Sequence, residues 1–206
     1  MGSKKLDLVN IVILGNHNPG IVTQQWLKDN GLITEDPRQA LNTLTLSFFE
    51  SERYSFIVEP VRLQLNAKEK DKESAKAISD ILVKYINIFP NLNYKAVGLN
   101  FIWTYGILEG EKYIIKTSIN EFTDLHDIFT DYQLNLGSII YAKKDPYLLK
   151  LVIDPLKENL LQYNFNYHFE ITKANMTKIP DYLNMYSSFY DESQAIIEKL
   201  TEGEKV

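Results

Sequence analysis

The residues best suited to chemistry in this chain are few and scattered. Asn16, His17 and Asn18 sit between an apolar run ending at Gly15 and the pair Pro19-Gly20, so they form a strand-to-helix loop. Such a loop offers free backbone amides at a positive helix end, with the His17 imidazole as donor or proton carrier. It lacks the glycine spacing and the lysine of a phosphate cradle or a dinucleotide fingerprint. The plainer reading is that Asn18 and Pro19 start a helix. His168 and Glu170 share a parity on one strand and make the best acid/base pair on offer. Glu50 with Glu59 could act as a pair only through the fold.

Other chemistries drop out by residue type. The chain has no cysteine, which removes disulfides, thiolate metal sites and cysteine nucleophiles. His17, His126 and His168 lie far apart, and no paired-histidine motif is present, so no metal is expected. Asp124, Asp127 and Asp131 recur at near-helical intervals and read as a solvated acidic face. Leu136-Gly137-Ser138-Ile139 lacks the second glycine of a serine-hydrolase elbow and runs into a strand. No cofactor is expected.

Charge points away from polyanions. The net charge is −5, and of 22 basic residues only Arg38, Arg53 and Arg62 are arginines, which disfavours nucleic acid as a partner. The densest basic stretch, Lys68 to Lys76, is neutralised by Glu69, Asp71 and Glu73. No apolar run is long enough for a membrane span and no signal-peptide core follows the start, so a cytoplasmic location is the expectation. Met1–Ser3 reads as an expression remnant.

The elements that must position these groups follow from periodicity. Leu8 to Leu14 reads as a buried strand, followed by a helix that opens at Pro19, places Val22, Trp26 and Leu27 on one face and stops at Asn30-Gly31. Leu41 to Glu50 and Tyr54 to Asn66 read as two strands of a hairpin, with Pro60 forcing a bulge or an edge position. Lys70 to Phe89 repeats apolar residues at helical spacing up to Pro90. Tyr94 to Leu108 is a long strand, turning at Glu109-Gly110-Glu111 into a second one, Lys112 to Thr117. Ser118 with Glu121 forms a capping box for a short helix ending near Thr130. Leu134 to Ala142 and Tyr147 to Ile153 flank a turn at Lys143–Pro146, Leu160 to Thr172 is the last strand, and a closing helix starts near Pro180.

With 206 residues, 45% of them apolar, the expected fold is α+β: one domain over residues 4–202, with a flexible tail at 203–206. Its sheet is expected to be mostly antiparallel with helices on one face. The first part reads β-α-β-β-α-β, the split unit of ferredoxin-like folds, and the second β-α-β-β-β-α, an approximate echo, so two ferredoxin-like halves, 4–108 and 112–202, are the expected subdivision.

Two strands carry the functional expectation. In the last strand Leu161, Tyr163, Phe165, Tyr167, Phe169 and Ile171 share one parity, and Gln162, Asn164, Asn166, His168 and Glu170 share the other. Tyr94 to Leu108 likewise puts large residues on one side and small or polar ones, Asn100 among them, on the other. If the two strands are neighbours, their polar rows merge into one surface, which Arg62, Gln64 and Asn66 can extend. The expectation is a non-enzymatic protein that binds a protein partner, or another copy of itself, through that polar face or through strand edges. The alternative is a small-molecule binder or enzyme with its site at Asn16–Gly20.

Overall fold

The structure is a computed structural model that describes residues 3–106, 137–157 and 159–201. Nine strands form one antiparallel sheet: β1 (Lys4–Gly15), β2 (Gln39–Asn42), β3 (Ser47–Glu50), β4 (Tyr54–Glu59), β5 (Arg62–Ala67), β6 (Tyr94–Gly106), β7 (Ser138–Lys144), β8 (Tyr147–Lys157) and β9 (Leu160–Glu170). Their order across the sheet is β2-β3-β4-β5-β1-β6-β9-β8-β7. The described α-helices are α1 (Gln24–Asp29), α2 (Lys72–Ile88), α3 (Ile179–Asn184) and α4 (Tyr186–Thr201).

All four helices pack on the same side, because the sheet puts its large residues there. Val9, Ile11 and Ile13 of β1, Leu63 and Leu65 of β5, Leu99, Phe101 and Trp103 of β6, and Tyr163 to Phe169 at alternate positions of β9 are buried. The helices answer with rings of their own. Tyr186 stacks on Phe101 at 4.5 Å between centroids, Phe189 on Tyr167 at 4.0 Å and Tyr182 on Phe169 at 4.6 Å, while Tyr85 of α2 lies against Phe56, and Trp26 of α1 against Tyr85. Each fully buried side chain of this size stabilises the fold by about 2–3 kcal/mol, so this aromatic layer dominates cohesion. Polar ties then fix the helices on the strands and on one another. The Trp103 indole N–H donates to Ser193 Oγ at 3.0 Å, Ser79 Oγ donates to the Leu183 carbonyl at 2.7 Å, and the Tyr186 hydroxyl reaches the carbonyls of Asn10 and Asn100 at 2.9 and 2.7 Å.

The α+β class and the antiparallel sheet agree with the sequence pattern, and the strand order does not confirm ferredoxin-like halves. The two strands expected between residues 41 and 66 are four. Thr43–Leu46 turns back on itself, with the Thr43 amide donating to the Leu46 carbonyl and the Thr43 hydroxyl accepting from Leu46 N, so Leu41 and Phe48 become cross-strand partners. Pro60 sits in the turn between β4 and β5 and makes no bulge; Glu59 and Arg62 face each other across it. The first part is therefore β-α-β-β-β-β-α-β. The helix expected at Pro19 is also split. Asn18 caps only a single 3₁₀ turn, Pro19–Ile21, and α1 begins after Thr23, whose hydroxyl accepts from Trp26 N at 3.1 Å. The closing helix is broken at Met185 into α3 and α4. The strand at Lys112–Thr117, the helix from Ser118 to Thr130 with its Asp124, His126, Asp127 and Asp131, and the tail at 203–206 lie outside the described residues.

Candidate binding face

The side of the sheet away from the helices is built from the other parity, and its centre is a line of asparagines. Register places Asn66 of β5 opposite Asn10 of β1, Asn10 opposite Asn100 of β6, and Asn100 opposite Asn166 of β9. Four adjacent strands thus each contribute one asparagine to a single row, which Lys150 of β8 and Tyr141 of β7 continue. Directly opposed side chains of an antiparallel pair lie about 5 Å apart, close enough for amides to bond. Asn166 Nδ2 donates to Asn100 Oδ1 at 2.5 Å, and Asn100 Nδ2 donates to Asn10 Oδ1 at 2.8 Å. At the other end Gln64 Nε2 donates to Asn66 Oδ1 at 2.6 Å. Gly98 makes room for this chain: a Cβ there would stand 3.1 Å from Asn166 Nδ2.

The neighbouring rows are mixed. His168 lies between Gly98 and Leu148, Asn164 between Ile102 and Val152, Gln162 between Thr104 and Asp154, and Glu170 beside Ala96 at the end of β9. Asn164 Nδ2 donates to Asp154 Oδ2 at 3.3 Å. Gln162, Asn164, Asn166 and His168 are half-buried and Glu170 is exposed. Asn100 and these five therefore share one face, with Gln64 and Asn66 joining across β1. His168 and Glu170 are two residues apart on that face, and no hydrogen bond joins them among the described residues.

Twist gives a sheet of this width a curved face. The central strands floor an open hollow of about 330 Å³. Its apolar lining comes from Leu8, Val12, Ile102 and Val152, its amides are Asn10, Asn100, Asn164 and Asn166, and Arg62 and Lys150 are the charged groups that reach it.

The Asn16–Gly20 loop is placed elsewhere; Asn16 and Asn18 are exposed, and several of the loop's polar groups are already engaged. His17 is buried. Its Nε2 lies 3.2 Å from the Ile13 carbonyl, which can only accept, so Nε2 carries the proton and Nδ1 accepts from the Tyr85 hydroxyl at 3.2 Å. Burial holds the imidazole pKa below its ordinary value, against the pull of the Ile13 bond, and the ring stays neutral. Asn16 N donates to the Asn93 carbonyl at 3.3 Å, His17 N to the Pro60 carbonyl at 2.8 Å, and the Asn18 side chain accepts from Gly20 N at 3.2 Å. These contacts knit the end of β1 to the turn after β4 and leave His17 in an aromatic nest of Tyr85 and Tyr94.

Two members of the face carry no signal in the sequence. Asn10 lies within an apolar run, where it is the polar residue marking which parity points away from the helices, and the position of Lys150 depends on β8 lying next to β9. Arg62 stands on the face as the sequence pattern suggests. No group of three or more His, Asp or Glu side chains suited to a metal occurs among the described residues, and no described helix is long and apolar enough to cross a membrane. Compared with models of known protein families and with curated proteins, the chain matches none.

Proposed function

We propose that the protein is a non-enzymatic binding protein whose docking surface is the face of the sheet opposite the helices, and that its first partner is a second copy of itself. The observation that carries this reading is the asparagine row across β5, β1, β6 and β9. An amide is donor and acceptor at once, so a row of amides is complementary to its own two-fold image, whereas a row of one charge repels its image. Amides also lose less than charges do when water is removed from between two surfaces. The half-buried apolar residues beside the row, Val12 and Ile102 among them, supply area that association can cover.

Size-exclusion chromatography with light scattering tests the proposal. The native chain is expected to run as a dimer, and the triple variant Asn164→Asp, Asn166→Asp, His168→Asp as a monomer, because carboxylates on facing copies repel. A native chain that stays monomeric at every concentration sinks the self-association reading. So does a triple variant that dimerises as well as the native chain.

A further inference from the structure

We infer that the hollow on the open face is a binding site for a small organic acid with an apolar body. A volume of about 330 Å³ falls within the range of small-ligand sites. The sign of its charge is the telling feature. In a chain of net charge −5, the charged groups lining the hollow among the described residues are both cations, Arg62 and Lys150, and no described carboxylate lines it. Among the described residues neither cation has an ion-pair partner, although seven other basic residues do. Arg62 donates to Gln64 Oε1, which occupies one edge of a guanidinium that carries five N–H donors, and Lys150 Nζ stands 6.0 Å from the centre of the Tyr141 ring.

Direction in the amide chain adds a second, independent pointer. Asn166 donates to Asn100 and Asn100 donates to Asn10, so the chain ends at β1. The Asn10 amide accepts there, and its own Nδ2 has no acceptor among the described residues. Asn10 stands opposite Asn66 and Arg62 opposite Leu14, four positions along β5, and both line the hollow. A carboxylate at the β5 end of the hollow would receive a charge-assisted grip from Arg62, and the Asn10 N–H is a second donor on the same floor. The remaining floor, Ile102 and Val152 with Leu8, is apolar and suits a hydrocarbon body, with Lys150 on the far side. The site uses the face assigned above to docking, but it needs no protein partner, and binding to a monomer would serve as well.

Calorimetric titration of the full chain with hexanoate and with its neutral counterpart hexanamide tests the inference. Hexanoate is expected to bind at least about tenfold more tightly than hexanamide, and the variant R62Q/K150Q to lose that preference. Both substituted side chains are at the surface, and circular dichroism verifies that the variant is folded. Equal binding of the two probes, no binding of hexanoate, or an undiminished preference in R62Q/K150Q each overturns the site. Because a dimer seated on this face would cover the hollow, the titration is run at concentrations where light scattering shows monomer, which keeps failure of the ligand site distinct from failure of the dimer.

Discussion

Lowering the pH should weaken this fold through His17, by an amount the structure bounds. The ring is buried, neutral and bonded on both nitrogens, and burial depresses its folded pKa. The unfolded chain carries a histidine of pKa about 6.5. Below that value the unfolded state binds a proton that the folded state resists, so stability is complete above pH 6.5 and drains away as the pH falls toward the folded pKa. One proton gives a slope of at most about 1.4 kcal/mol per pH unit, and between pH 7.5 and 5.5 a total loss of at most about 1.4 kcal/mol. For a chain of this size, with a urea m-value of about 3 kcal/mol per molar, the midpoint should move down by at most roughly 0.5 M. Urea unfolding at the two pH values, for the native chain and for His17→Gln, isolates the effect. The variant loses baseline stability, but its pH dependence across this window should flatten. If it keeps the native slope, His17 is not the group responsible and its internal hydrogen-bonded placement is wrong.

Two tyrosine hydroxyls make predictions of opposite sign. The Tyr167 hydroxyl is buried without a hydrogen-bond partner among the described residues, so Tyr167→Phe should raise stability by about 1 kcal/mol in urea unfolding. The Tyr186 hydroxyl binds carbonyls of both β1 and β6, so Tyr186→Phe should lower it by about 1 kcal/mol, read in the same assay.

What could be read from sequence divides along a physical line. Strands β6 and β9 and helix α2 were legible nearly to their ends, because their apolar residues repeat at a single period over eleven residues or more. The turns at Thr43–Leu46 and Pro60-Val61 were not, since neither carries the Asn-Gly or Asp-Gly pair that usually marks a tight hairpin and both sit inside otherwise continuous β-forming runs. Thr23 outcompeted Asn18 as the cap of α1 because its hydroxyl reaches Trp26 N, while Asn18 closes on Gly20. The polar parity of β9 was visible, yet the asparagine row was not. It exists only because β1, β5, β6 and β9 lie side by side, and strand order is a tertiary fact. For the same reason His17 looked like a free loop histidine until Tyr85, sixty-eight residues on, closed over it.

The position of β1 has a consequence for how the molecule can be cut and joined. Strands β2 to β5 form one run of neighbours and β6, β9, β8 and β7 another, and among the described strands β1 alone hydrogen-bonds to both. It works as a zip between two four-stranded leaves. A chain lacking residues 4–15 would keep α2 as the covalent bridge between the leaves but would expose two raw inner edges, each lined with unpaired backbone groups and half of an aromatic layer. A synthetic peptide of that segment, supplied in trans, would have a strand-shaped slot bounded on both sides to enter, which makes this molecule a natural subject for splitting and reassembly.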